Sequence, residues 1–212
     1  GGTLSGNTAT SNDSYGFNVE DFSGGTLSGN TATSNETFGF RVANFSGGTM
    51  SGNSDVSDDF SGFRVAAFNG GTLSGNSATS SAFGFWITDF SSGTVSDNTS
   101  NSNSLGFLLD GEVSGGTLSG NTASSNSHDG FSAVNISGGT MSGNTATSNG
   151  EDGFDFGGSD PSSGDGFTAS NTATFESNES SNNTAQGYDI EGEPQTGSGT
   201  NTGSGNGSDD SF

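Results

Sequence analysis

Residues 1–7 read Gly-Gly-Thr-Leu-Ser-Gly-Asn, and the same seven residues return at 24–30, 70–76 and 115–121. Met replaces Leu at 47–53 and 138–144, and a looser copy, Ser-Gly-Thr-Val-Ser-Asp-Asn, stands at 92–98. The period is 22–24 residues. A unit this short cannot close a hydrophobic core of its own, so copies must stack, and the sequence predicts a solenoid.

Aligned copies form columns. One runs Leu4, Leu27, Met50, Leu73, Val95, Leu118, Met141, Phe175. A second runs Phe17, Phe40, Phe63, Phe85, Phe107, Phe131, Phe154, Tyr188. Two residues on lie Val19, Val42, Val65, Ile87, Leu109, Ala133, Phe156 and Ile190, and a fourth column holds Phe22, Phe45, Phe68, Phe90, Val113 and Ile136. The two-residue spacing is strand periodicity, with both side chains on one face. Thr3–Ser5, Thr8–Thr10 and Tyr15–Val19 are the expected strands of the first coil, and Gly6 and Gly24-Gly25 its corners. Coils pairing at about 4.8 Å make eight of them a rod about 40 Å long.

Asn7, Asn30, Asn53, Asn76, Asn98, Asn121, Asn144 and Asn178 occupy one position in all the coils. A preference of Asn for turns explains one per coil but not one fixed position. A buried ladder, each Asn bonding its neighbours, explains it. A second column, Asn12, Asn35, Asn103, Asn126, Asn149 and Asn183, is interrupted by Asp58 and Ser81. The expected class is therefore all-β: a parallel β-helix of about eight coils with an Asn ladder and a stacked Phe core. It should span residues 1–191, with an inserted loop near 157–170 that lengthens the last coil. Residues 192–212, rich in Gly, Ser and Thr, read as a tail or linker.

The runs Ser-Gly-Asn-Thr-Ala-Thr-Ser-Asn and Gly-Phe-x-Val resemble right-handed parallel β-helix repeat proteins of the pectin-lyase-like superfamily, over roughly residues 1–190. The resemblance implies a right-handed solenoid of the extracellular surface-protein type. It also brings polysaccharide lyases and hydrolases into view. Those use clustered Asp for calcium with an Arg base, or several Asp with a His and an Arg-x-Lys segment. This chain has no Lys and a single His, His128, beside Asp129. Asp155 and Asp189 share a column and are the remaining acid/base candidates. No catalytic residue is assigned, and the expectation is a protein that is not an enzyme.

Composition alone argues for disorder: apolar content is 25% and net charge −22, with 39 Gly in 212 residues. The register of the apolar columns overrides it. With 24 acids against two Arg, nucleic acid is not an expected partner. No apolar run is long enough for a transmembrane segment. The chain opens in mid-repeat without Met, as a processed product or a piece of a longer chain would. Acids gather at two corners, including Asp13, Glu36, Asp58 and Asp59 at one and Glu20, Asp21, Asp89 and Asp110 at the other. Calcium is the one cofactor such corners would suit, though no constant spacing names a metal site.

Two surfaces stand out as binding candidates. Thr3, Thr26, Thr49, Thr72, Thr94, Thr117 and Thr140 form an outward hydroxyl column, with Ser5 to Ser142 two residues away. That lattice, about 4.8 Å by 7 Å, suits ice or a surface glycan. Arg41, Arg64 and Trp86, the chain's only cations of that type and its only Trp, fall on consecutive coils. The favoured reading is a non-enzymatic extracellular rod, a cell-surface protein, adhesin or filament subunit that self-associates end to end.

Overall fold

In the computed structural model, residues 1–156, 173–190 and 200–208 are described. They form three parallel sheets that run the length of the molecule. The first has eight strands, from Thr3–Ser5 to Thr174–Glu176; the second nine, from Thr8–Thr10 to Thr202–Ser204; the third eight, from Tyr15–Val19 to Tyr188–Ile190. Each of the first eight coils gives one strand to each sheet, and successive coils pair in register apart from local shifts near the Gly-Gly corners and in Leu105–Val113. Thr3, Leu4 and Ser5 pair with Thr26, Leu27 and Ser28, and Phe40 pairs with Phe63. The expected parallel β-helix is what forms.

Every apolar column faces the interior. From Phe40 to Phe154 the rings of the second column are fully buried or nearly so. Phe40, Phe63, Phe85 and Phe107 stack with centroids 4.7 Å apart and planes within 6° of parallel. That spacing is the strand separation itself, so one repeat distance serves backbone pairing and ring packing together. Phe22, Phe45, Phe68 and Phe90 make a second stack at 4.8–5.1 Å.

The corners explain the small residues. Gly6, Gly29, Gly52 and Gly75 sit at φ near +60°, where a Cβ is strained. Asp97 takes that place in coil 5, and the following corner uses Ser11, Ser34, Ser57 and Ser80 in the same left-handed region. Of Gly24 and Gly25, only Gly25 has positive φ. The Gly before each core Phe is needed for space instead: a Cβ on Gly130 would lie 2.7 Å from Gly153 O and 2.8 Å from Asn149 Nδ2.

Residues 200–208 correct the expectation of a tail beginning at 192. Thr202–Ser204 pairs in register with Glu179–Ser181 as a ninth strand of the second sheet. The inserted segment expected near 157–170 lies outside the described residues.

Candidate functional site

The Asn ladder is continuous and directional. Asn30 donates its backbone N–H and an Nδ2 hydrogen to Oδ1 of Asn53, at 3.0 and 2.9 Å, and its other Nδ2 hydrogen to Leu4 O at 3.0 Å. Asn53, Asn76, Asn98, Asn121 and Asn144 repeat this pattern up to Asn178. Asn178 donates in turn to Asn201, a ninth member that the sequence reading missed. The second ladder resumes at Asn103 and likewise gains a further rung, Asn206. The signal was present: Asn201 and Asn206 keep the five-residue spacing of Asn7 and Asn12.

Directionality makes the two ends of the rod chemically different. At coil 1, Asn7 Oδ1 and Asn12 Oδ1 receive no donor among the described residues, and Asn7 Nδ2 turns back to Ser5 O. In the last described coil, Asn201 Nδ2 reaches Phe175 O, and its backbone N–H meets no next rung among the described residues. The main ladder thus leaves acceptors open at coil 1 and a donor open at Asn201. The acceptor end is also apolar. Leu4 is 39% exposed where its equivalent Leu73 is fully buried, and Leu4, Val19, Phe22 and Leu27 line an open hollow of about 310 Å³.

The hydroxyl column is in register throughout, from Thr3 through Thr26, Thr49, Thr72, Thr94, Thr117 and Thr140 to Thr174. The Ser column beside it ends differently, with Ser142 paired to Glu176.

On the outer face of the third sheet, Arg41, Arg64 and Trp86 do come together. The Arg64 guanidinium lies 4.1 Å from the Trp86 ring centroid, and Trp86 Nε1 donates to Asp110 Oδ2 at 3.1 Å. Arg41 donates to Glu20 Oε1 at 3.1 Å and to Asn18 Oδ1 at 2.8 Å, so one of the corner acids flanks it. The sequence reading missed the ring stripe beside them. Tyr15 stacks on Phe38 at 5.7 Å, Phe60 meets Phe38 edge-on at 5.7 Å, and Phe60 and Phe83 both pack against Trp86. Phe60 is 41% exposed. Tyr15, Phe38 and Phe83 stand two residues before a core Phe, so simple alternation would turn them inward, yet their rings meet Arg41, Phe60 and Trp86 on the outer face; Ser61 interrupts the column and Phe60 precedes it.

The acid candidates disperse or change character. Asp155 and Asp189 pair across coils in register, with Gln186 Nε2 donating to Asp189 at 3.1 Å. His128 is exposed, its Nδ1 3.0 Å from Ser104 Oγ. Burial pushes the Asp129 carboxyl up to about 6. Among the described residues, no group of three or more acidic, His or Cys side chains is placed to hold a metal. Asp58, read both as a corner acid and as an interruption of the second Asn column, is buried, as is Asp55.

A family model described as a right-handed β-helix region matches residues 1–99, 21–171 and 61–208. The chain belongs to the right-handed β-helix family. No curated protein and no solved structure matches the chain. Membership of the right-handed β-helix family fixes the architecture; the fold serves enzymes and non-enzymes alike. None of the helices is long and apolar enough to cross a membrane, among the described residues.

Proposed function

We propose that this right-handed β-helix is a structural rod that acts outside the cell, without catalysis, by stacking end to end. The open rungs of the first and last described coils carry the reading. Asn7 Oδ1 and Asn12 Oδ1 present acceptors beside apolar Leu4, Phe17 and Val19, and Asn201 presents a donor in the last described coil. A second copy seated on coil 1 would continue the main Asn ladder and cover the part of Phe17 that coil 2 leaves open. Such contact is head-to-tail and does not close, so it grows a filament. Net charge of −22 opposes it and is screened by salt, so association should strengthen as salt rises.

Negative-stain electron microscopy over a range of concentrations and salt tests this. Rods one solenoid wide should lengthen with both variables. Leu4→Glu, which puts a charge on the open face, should abolish the lengthening while leaving the circular dichroism unchanged. Monodisperse short rods of the unaltered protein under all conditions would remove the reading.

A second reading, a ring-binding surface for a glycan and hence an adhesive role, rests on the Arg64–Trp86 stack and the exposed Phe60. Trp86 is the only Trp, so its fluorescence reports on this patch alone. Titration with a panel of oligosaccharides should shift the emission of the unaltered protein. A flat response across the panel would end the proposal.

A further inference from the structure

Coil 3 departs from the repeat at two interior positions. Asp55 stands in the column held by Ala32, Ala78, Ala123 and Ala146, and Asp58 stands in the second Asn ladder between Asn35 and Ser81. Their exposures are 0% and 1%. Half of their oxygens are accounted for. Asp58 Oδ1 accepts from the Asn35 backbone N–H and from Asn35 Nδ2, the latter at 3.0 Å. Asp55 Oδ2 accepts from Ser81 Oγ at 3.0 Å. The other two, Asp55 Oδ1 and Asp58 Oδ2, have no donor.

These two orphans lie against one another. A Cβ on Gly39 would strike both, which puts the oxygens in mutual contact range with the Gly39 backbone packed on them. No cation faces them. Coil 2 contributes Ala32, Asn35 and Gly39, coil 4 contributes Ala78 and Ser81, and coil 3 itself contributes Gly62. Asp59, next to Asp58 in sequence, and Glu36, its counterpart in coil 2, are exposed, and Arg41 and Arg64 are on the outer face of the third sheet. Two ionised carboxylates in contact in a dry site repel and leave two lone pairs unsatisfied. One proton turns both orphans into a donor and an acceptor. A dication would have only these two acids as charged ligands and no space beside the Gly39 backbone.

We infer that Asp55 and Asp58 share a single proton that holds coil 3 in the stack, and that its loss at alkaline pH uncouples coils 1 and 2 from the rest of the rod. Solenoid stability is a sum of nearest-neighbour interfaces, so one weakened coil divides the stack at that point. Three departures from the columns, Asp55, Asp58 and Ser81, meet at Asp55: Ser81 donates to it and Asp58 lies beside it, which makes them one unit rather than three substitutions. Burial, with Asp58 alongside, pushes Asp55 up to about 9. An unfolded Asp ionises near 3.9. Between those values the folded state binds the extra proton, so this pair's contribution to stability is largest in acid. It falls by up to about tenfold in the folding constant per pH unit as pH rises, and is spent above about 9.

The test compares the unaltered protein with Asp55→Ala/Asp58→Asn, which restores the Ala and Asn of coil 2. Infrared spectra in heavy water at pH 7 should show a carbonyl stretch of a protonated carboxylic acid in the unaltered protein that is lost from the double variant, in which only the small protonated fraction of Asp129 remains. Urea unfolding from pH 5 to 9 should show the variant's advantage growing with pH, by up to about tenfold in the folding constant per unit. Parallel pH profiles would overturn the proposal. So would the absence of a protonated-acid band from the unaltered protein, a result that stands even if the double variant fails to fold.

Discussion

Asn76→Ala is expected to destabilise the rod by about 3–5 kcal/mol, because two or three buried polar groups lose their partners at about 1–3 kcal/mol each. The Asn53 backbone N–H and Nδ2 both donate to Asn76 Oδ1, at 3.0 and 2.9 Å, and Met50 O accepts from Asn76 Nδ2 at 3.0 Å. None of these groups has water to turn to, since Asn53 and Asn76 are both buried. Asn7→Ala is the control. Asn7 only donates, its Oδ1 receives nothing, and the site is exposed, so the loss should stay below about 1 kcal/mol. Urea unfolding followed by circular dichroism measures both. Equal losses at the two positions would mean that the ladder is a consequence of coil stacking and not a cause of it.

Phe85→Ala should cost a similar amount, about 3–5 kcal/mol, by a different route. The Phe85 ring has rings on both sides, Phe63 and Phe107 at 4.7 Å, and none of its surface is exposed. Its removal leaves a cavity that parallel strands in fixed register cannot collapse around. Because the damaged coil lies mid-stack, the unfolding transition should also broaden as the two halves lose their coupling. Phe17→Ala, with Phe40 as its one stacking partner, should cost clearly less. A loss below about 1 kcal/mol at Phe85 would show that the ring stack adds little beyond backbone pairing.

Both effects concern residues that can be read from the sequence, and the reason is the geometry of a solenoid. Residues one period apart are neighbours in space, so a column in an alignment of repeats is a list of contacts. That is why Leu4 to Phe175, Phe17 to Tyr188 and Asn7 to Asn178 could be placed without coordinates. The same logic fails where a coil departs from its neighbours. Asp55 and Asp58 look like acids of a chain full of surface acids, because a departure from the column carries no sign of where the side chain goes. In residues 200–208 the dominance of Gly, Ser and Thr masks a strand, although the Asn201–Asn206 spacing carries the ladder signal. The ring stripe at Tyr15, Phe38, Phe60 and Phe83 escaped notice because Phe60 is one residue out of its column.

The sequence by itself determined the parallel solenoid, the inward faces, the main Asn ladder and the unbroken Thr column, because each follows from a period and an alternation that survive in every copy. Only the tertiary structure decided the polarity of the ladders, the difference between the two ends, the aromatic surface around Trp86 and the burial of Asp55 beside Asp58. Those depend on which way each hydrogen bond runs and which oxygen meets which neighbour. Such properties belong to pairs of side chains across coils, and the order of residues within one coil does not contain them.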